Sequence, residues 1–458
     1  MAALAALTTG AVVRRINALT EYRNYAGDGR QYYKLAKSMV EQRRYSFGPD
    51  LGPAWSRLPG YPIFVAAAGW GAPRFNDADV GARVARSQAV LDAATGVLAF
   101  LVAWEVGLVA PAWLAVALCA SSPLLAMSVC YVLSETLSVF LTTLCLYLLV
   151  RACRRRVALH LALAGAVLGA ALLVRADSIT LAPCFVVPLW FSSEARAARV
   201  RAAVLSMIAA AVVFAPWPIR NIVRCHAPHP LGSPWVTNLG DPLPMGPQAW
   251  LATWAVLPEH AARDVGWKMT RGTPLYAAAL PPEASDSPEE KKRLDALLTA
   301  YDAAGLITPA VDEGFRELAR DRVRAHPIRH FVILPLRRVR HLWFDAVPQW
   351  EMPFESPTLG LPAGRPALET LSHRTLALAA LGLLMLAFVP LLHAGRPLAA
   401  LAFAAALFRT IAIVLIVPGG TQRYVFELVP MMLVLSGFAL FAPAELLLRR
   451  LLDRADAP

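Results

Sequence analysis

Charge is what this chain has least of. Only 17% of its 458 residues are Asp, Glu, Lys or Arg, while 57% are apolar. A soluble domain carries about 25% charged and about 45–50% apolar residues. With a mean hydropathy of +0.49, this excludes a disordered or collagenous chain and points to a membrane protein. Cysteine is sparse as well. The six residues Cys119, Cys130, Cys145, Cys153, Cys184 and Cys225 form no CxxC pair and lie mostly in or beside apolar runs. That excludes a disulfide-stapled secreted scaffold and reads as small buried hydrophobes. There is no Walker loop, no GxGxxG after a strand, no HExxH and no GxSxG, so the usual nucleotide, zinc-protease and hydrolase signatures are missing. No fixed-period repeat is evident.

Long apolar runs are present instead. A spanning helix needs about 17–25 mostly apolar residues. Such runs lie near 84–106, 109–130, 132–150, 157–174, 177–192, 202–217, 373–393, 397–417 and 424–446. The interior prolines Pro123, Pro183 and Pro216 do not veto them, because membrane helices tolerate proline. The net charge of +12 comes largely from arginines at the ends of these runs, which suits anchoring and topology more than nucleic acid. The clusters Arg151, Arg154, Arg155 and Arg156; Arg196, Arg199 and Arg201; Arg396; and Arg449 and Arg450 fall on one side when crossings are counted. The positive-inside rule makes that side cytoplasmic.

The expected architecture is an all-α polytopic membrane protein with about nine or ten transmembrane helices. Residues 1–19 read as a truncated first transmembrane helix, because Arg14 and Arg15 cut short the apolar start, or alternatively as a short helix whose two arginines snorkel. Residues 20–83 form a first outer loop with juxtamembrane helices, and 84–217 a transmembrane bundle. Residues 218–372 form a mostly helical outer-side insertion, and 373–458 the C-terminal transmembrane helices and cytoplasmic tail. Two helix starts are written into the insertion. Ser287-Pro288-Glu289-Glu290 and Thr308-Pro309 each supply an N-cap followed by a proline at the first position. Ile328–Phe344 interleaves apolar residues with Arg337, Arg338 and Arg340, the pattern of a helix lying along a membrane surface. The Trp-rich stretches 235–254 and 343–350 read as interface anchors.

The crossing count places Asp28, Arg30, Arg57, Glu135, Arg175, Asp177, Arg220, Arg423 and Glu427 at one outer level, although they are scattered in sequence. Ionisable groups beside membrane helices are expensive and often mark function. Asp28 lies in Gly27-Asp28-Gly29-Arg30-Gln31-Tyr32-Tyr33, where flanking glycines let a ligand approach. A carboxylate there can take a proton from an attacking hydroxyl or amine, or simply cap the helix that follows. Arginine forks suit phosphate, which makes Arg57, Arg175 and Arg220 candidates for holding a departing phosphate. Glu427 lies one helical turn from Arg423 and is its expected partner.

The segments GDGRQYYKLAKSM at 27–39, RLPGYPIF at 57–64, SETL at 134–137, LVRAD at 173–177, PWPIRN at 216–221 and RYVFELVP at 423–430, in this order, resemble the C-type glycosyltransferases. These polytopic enzymes use polyprenyl-phosphate sugars and include protein mannosyltransferases and lipid A aminoarabinose transferases. The resemblance implies a transferase moving a sugar from a polyprenyl-phosphate donor to a lipid, glycan or protein acceptor. It implies Asp28 as the catalytic acid of the first outer loop, with Gly29 standing where many members have a second acid. It implies substrate-binding roles for Arg30, Tyr32, Arg57, Tyr61, Glu135, Arg175, Arg220, Asn221 and Arg423. The implied location is the inner (plasma) membrane with the site on the outer face.

Other functions remain open at this stage. A lipid or glycolipid transporter would place its charges near the midplane and often show inverted repeats. A non-catalytic relative assisting another membrane enzyme fits the missing second acid. No cofactor is indicated, although a divalent cation is compatible with the family. A metal pair at His226 and His229 is less expected than two solvated histidines.

Overall fold

In the computed structural model, residues 2–18, 28–72, 75–154, 156–226, 245–256, 269, 280–344, 365–417 and 422–455 are described. Their regular elements are all helical, and the chain is a multi-pass membrane protein. Helix α1 (Ala2–Ala18) is followed by α2 (Asp28–Gln42), α3 (Gly60–Gly69), α4 (Asp77–Trp104), α5 (Val109–Ser121), α6 (Pro123–Val129), α7 (Glu135–Ala152) and α8 (Val157–Val174). A 3-10 segment, Ala176–Phe185, leads into α9 (Val186–Phe191), then α10 (Arg196–Phe214) and α11 (Pro216–Cys225). The insertion that follows contributes α12 (Met245–Ala252), α13 (Pro288–Ala304), α14 (Pro309–Ala325) and α15 (Leu334–Phe344). The chain closes with α16 (Arg365–Phe388), α17 (Arg396–Ile416) and α18 (Val429–Ala455).

Among the described residues, seven helices are long and apolar enough to cross a membrane. The number is eight if α5 and α6, bent by 50° at Ser122, count as one span. This is fewer than the nine or ten apolar runs suggested. The apolar part of α1 is only Ala3–Val13, and the run at 177–192 is a shorter apolar helix, Ala176–Phe191. That second segment is short in residues rather than in reach. Its first ten residues wind as a 3-10 helix and only six as α-helix. A 3-10 helix rises about 2.0 Å per residue against about 1.5 Å, so the segment still reaches roughly 29 Å, close to the hydrocarbon thickness of about 30 Å.

The principal core joins α4 to α9 with α16, α17 and α18 and includes all of the cysteines but Cys225. All six cysteines are buried and none is in a disulfide. Helices α8 and α10 pack at backbone distance. A Cβ on Gly165 would lie 2.1 Å from the Ser206 carbonyl oxygen, and one on Gly169 2.6 Å from that of Ala210. This is the small-residue contact that lets membrane helices approach closely.

The segment from α2 to α3 is folded down onto the bundle. Helix α2 buries Tyr32, Tyr33, Leu35 and Ala36, a one-sided pattern at helical spacing. With Tyr61, Val65 and Ala66 of α3, Tyr32, Tyr33 and Ala36 pack on Val80, Val84, Val132 and Val174. Gly60 permits this docking, since a Cβ there would sit 2.7 Å from the Leu173 backbone. The start of α3 is thereby held against the end of α8, just before Arg175.

The insertion has its own core of Trp250, Trp254, Leu294, Leu298, Tyr301 and Phe315. Its helices start as expected, with Ser287 Oγ accepting from the Glu290 N–H and Thr308 Oγ1 from the Val311 N–H. The expected interface role fails for Trp250 and Trp254, which are core residues; the remainder of 235–244 and 345–350 lies outside the described residues. In α15, Leu334, Arg338 and Leu342 turn inward, while Ile328, Phe331 and Leu336 along the same stretch are exposed. Arg338 donates to the carbonyls of Ala252 (2.7 Å), Ala255 (2.9 Å) and Val414 (3.4 Å), tying the insertion to α17. Burial lowers its pKa to about 10.

Candidate active site

Five of the candidates converge in a continuous chain of ion pairs. Asp28 is the first residue of α2, so it belongs to the first turn, where a carboxylate suits the helix dipole. Its Oδ1 accepts from Arg57 Nη2 at 2.7 Å, and its Oδ2 lies 3.5 Å from Arg423 Nη2. Gln31, one turn along α2, accepts from Arg57 Nε at 2.7 Å and fixes that guanidinium in plane. Arg423 Nε also donates to Glu135 Oε1, at the first residue of α7. Glu135 Oε1 is 3.5 Å from Arg175 Nη1. Arg175 is paired with Asp177 at 2.9 Å and with Glu427 at 3.0 Å.

The chain ends on a residue that the sequence reading passed over. Arg409 lies inside the membrane helix α17 and is 2% exposed. It reaches Asp177 Oδ2 at 3.2 Å and Glu427 Oε2 at 2.7 Å, and donates to the Asp177 carbonyl at 2.7 Å. The signal was available as a lone charge inside the apolar run 397–417, a costly placement without partners. The expected Arg423–Glu427 pair does not form. These residues lie in two separate 3-10 turns, Gln422–Tyr424 and Phe426–Leu428, so the spacing of four does not stack them as in an α-helix. Glu427 pairs with Arg175 and Arg409 instead.

Four arginines (57, 175, 409, 423) and four acids (Asp28, Glu135, Asp177, Glu427) thus alternate, and their formal charges cancel. Burial works against the charged form of Arg423, but Glu135 and Asp28 hold its pKa above the ordinary arginine value. Glu135 Oε2 makes no hydrogen bond among the described residues, and the side chain is buried.

The other candidates sit differently. Tyr32 is buried beside the pair, with Arg57 5.8 Å from its ring centroid and Tyr61 edge-on at 4.9 Å. Burial, then the Asp28 charge, raises its pKa. Tyr61 is fully buried and donates to Gln88 Oε1 at 2.7 Å, while Gln88 donates to the carbonyls of Val129 and Tyr131, so its hydroxyl is engaged in packing. Arg30 is exposed. Arg220 and Asn221 form a neighbouring cluster on α11. Arg220 Nη1 donates to the Ala54 carbonyl at 2.6 Å and to Asn221 Oδ1 at 2.8 Å. His226 is exposed and His229 lies outside the described residues. Among the described residues, no group of three or more His, Cys, Asp or Glu could hold a metal ion. The acids of the site are instead interleaved with arginines, which does not suit a cation.

The comparisons agree with this architecture. Residues 75–219 match the model of the dolichyl-phosphate-mannose-protein mannosyltransferase family. The Archaeoglobus fulgidus oligosaccharyltransferase, in its apo form, superposes over 99% of this chain with a TM-score of 0.54 at 15% identity. The chain has the C-type glycosyltransferase fold. The same archaeal enzyme, AglB, in complex with an inhibitory peptide and a dolichol-phosphate, gives a TM-score of 0.53, also at 15% identity and over 99% of this chain. This C-type fold chain spans about half the length of that oligosaccharyltransferase, 52% in both comparisons. ArnT from Cupriavidus metallidurans, bound to undecaprenyl phosphate, matches more loosely, with a TM-score of 0.40, 12% identity, and 96% of this chain against 78% of that one. A comparison with curated protein sequences finds no match.

Proposed function

We propose that this chain is an integral-membrane glycosyltransferase that moves a sugar from a polyprenyl-phosphate donor to an acceptor on the outer face of the inner membrane. The observation that carries this reading is the seat of Asp28 between Arg57 and Arg423, in a fold shared with an enzyme solved with a dolichol-phosphate. The match of residues 75–219 to a dolichyl-phosphate-mannose-dependent family supports the same donor class.

The chemistry needs three things. The anomeric carbon of the donor is bonded to a phosphate oxygen, and that phosphate is the leaving group. An acceptor hydroxyl or amine attacks the carbon, the carbon–oxygen bond to phosphate breaks with its electron pair, and the acceptor proton passes to the base. Asp28 is the base. Arg57 and Arg423 fix the orientation of its carboxylate and stand ready for the charge that develops on the departing phosphate. Arg175 backs them through Glu135, whose unpartnered oxygen can accept from a hydroxyl of the sugar or acceptor. Arg409, Asp177 and Glu427 hold Arg175 in place, so that the site is rigid before substrate arrives.

Mass spectrometry of lipid and glycan products, from membranes with and without the intact protein, tests the reading. A sugar-bearing product, with matching release of polyprenyl phosphate, is the expected outcome. Translocation of a labelled lipid with no covalent product would instead identify a transporter.

A further inference from the structure

The segment 328–344 has a face that neither the core of the insertion nor the bundle uses. Its seventeen residues carry four arginines and two histidines and no acid. A π-helical turn, Arg329–Ile333, runs directly into α15. One side of this rod is accounted for. Leu334, Arg338 and Leu342 are buried, and the rod is fixed at the end of a membrane span. Arg338 donates to the Val414 carbonyl and Trp343 Nε1 donates to Thr410 Oγ1 at 2.9 Å. Leu342 packs with Ile413 and Val414. These partners lie in the last two turns of the span that ends at Ile416. The other side is bare. Val332, Leu336 and Arg340 recur every four residues, two positions out of step with the buried set, which places them on the opposite face. Ile328, Phe331, Val332, Ile333 and Leu336 are each 41–69% exposed. Large apolar side chains grouped outside any core mark an interaction site. The charge beside them has one sign. Arg324, Arg337 and Arg340 are exposed and make no ion pair among the described residues. What covers this face is therefore apolar within and anionic at its rim. A bilayer with anionic headgroups has both properties.

We propose that 328–344 docks on an anionic lipid surface, with its exposed apolar side chains entering the interface and Arg337 and Arg340 meeting the lipid headgroups. Position favours lipid over a protein partner, because Leu342 and Trp343 already seat the end of the rod against a span, at the boundary where headgroups begin. The docking stands apart from the transferase reading. Its consequence for the site rests on that reading. Leu342 also packs with Val425, which lies between Arg423 and Glu427 in the chain, so a lipid-held α15 steadies the turn that carries Arg423 to Asp28.

Fluorescence quenching of the full chain in nanodiscs tests the docking. A bimane label is placed on Phe331→Cys or, as a control, on Ala300→Cys, an exposed position of α13. The native cysteines are buried, which keeps the label site-specific. Doxyl-lipids quench a label in the bilayer, and iodide quenches one in water. Doxyl quenching at 331 is expected to exceed that at 300 by about twofold or more, with iodide quenching in the reverse order. Adding phosphatidylglycerol to discs of phosphatidylcholine should increase the doxyl quenching at 331. Arg337→Gln with Arg340→Gln, both at exposed positions, should abolish that increase. Iodide quenching at 331 equal to that at 300 would overturn the proposal, as would a label shielded from both quenchers, the sign of a protein partner. Quenching at 331 that ignores lipid charge would overturn the anionic surface. No donor, acceptor or turnover enters the measurement, so its failure is separable from failure of the transferase reading.

Discussion

Two buried arginine clusters in this molecule look alike in composition and differ in origin. In the insertion between α11 and α16, Arg322 is 3% exposed and is held by Glu290 and Asp286, with further bonds to the carbonyls of Glu283 and Ala284. Arg329 joins Asp286. All its members come from one stretch, residues 283–329. In the ion-pair chain of the site, the members run from Asp28 to Glu427 and come from separate helices and turns. The local cluster staples neighbouring helices α13 and α14, and could be lost without disturbing the bundle. The long-range chain can form only when the segment carrying Asp28 and Arg57, α7, α8, α17 and the turn after it are all in place. A costly feature assembled from so many elements is better explained by a task than by stapling.

That contrast can be broken in graded steps. The largest stability loss is expected for Arg409→Leu, which removes a buried partner of both Asp177 and Glu427. Removing one member of a buried pair costs about 3–5 kcal/mol, and a thermal melt of the detergent-purified protein would register it. Arg322→Met should cost less, because Asp286 keeps Arg329. Its effect should be confined to faster hydrogen exchange in 288–325, with the membrane helices unchanged. Acid should separate the clusters as well. Burial acts to raise the pKa of Asp286, but Arg329, Arg322 and His326 outweigh it and hold the pKa below the ordinary carboxylate value. Its contribution is therefore fully present above that ordinary value and is lost as pH falls through the lowered one, so the insertion should loosen only in strong acid. The smallest effect is expected at Arg293–Asp321, half-exposed on both sides. Arg293→Ala should change stability by less than about 1 kcal/mol.

The sequence made the local features legible. The caps at Ser287 and Thr308, the amphipathic α2 and most of the long apolar helices follow from short-range patterns, and each is present. The run at 177–192 is present as the apolar helix Ala176–Phe191, and its 3-10 winding, which hydropathy does not register, gives its sixteen residues nearly the reach of a full span. Trp250 and Trp254 were misjudged because an aromatic in an outer segment can anchor at an interface or fill a core, and only the packing of α12 on α14 decides. At the site, a shared outer level gathered Asp28, Arg57, Glu135, Arg175 and Arg423. Level alone did not reveal partners, so Arg423 was matched to Glu427, its neighbour along the chain, and Arg409 was overlooked inside its apolar run. Tyr61 shows the converse, a motif residue whose hydroxyl serves packing.

The measurement that bears most directly on the central claim is the turnover of Asp28→Asn with a polyprenyl-phosphate sugar, beside the wild type and a melt showing that both are folded. The isosteric amide keeps the shape of the seat between Arg57 and Arg423 but cannot take the acceptor proton, so transfer should fall by about 10²–10⁴-fold. Transfer at the wild-type rate would contradict the account.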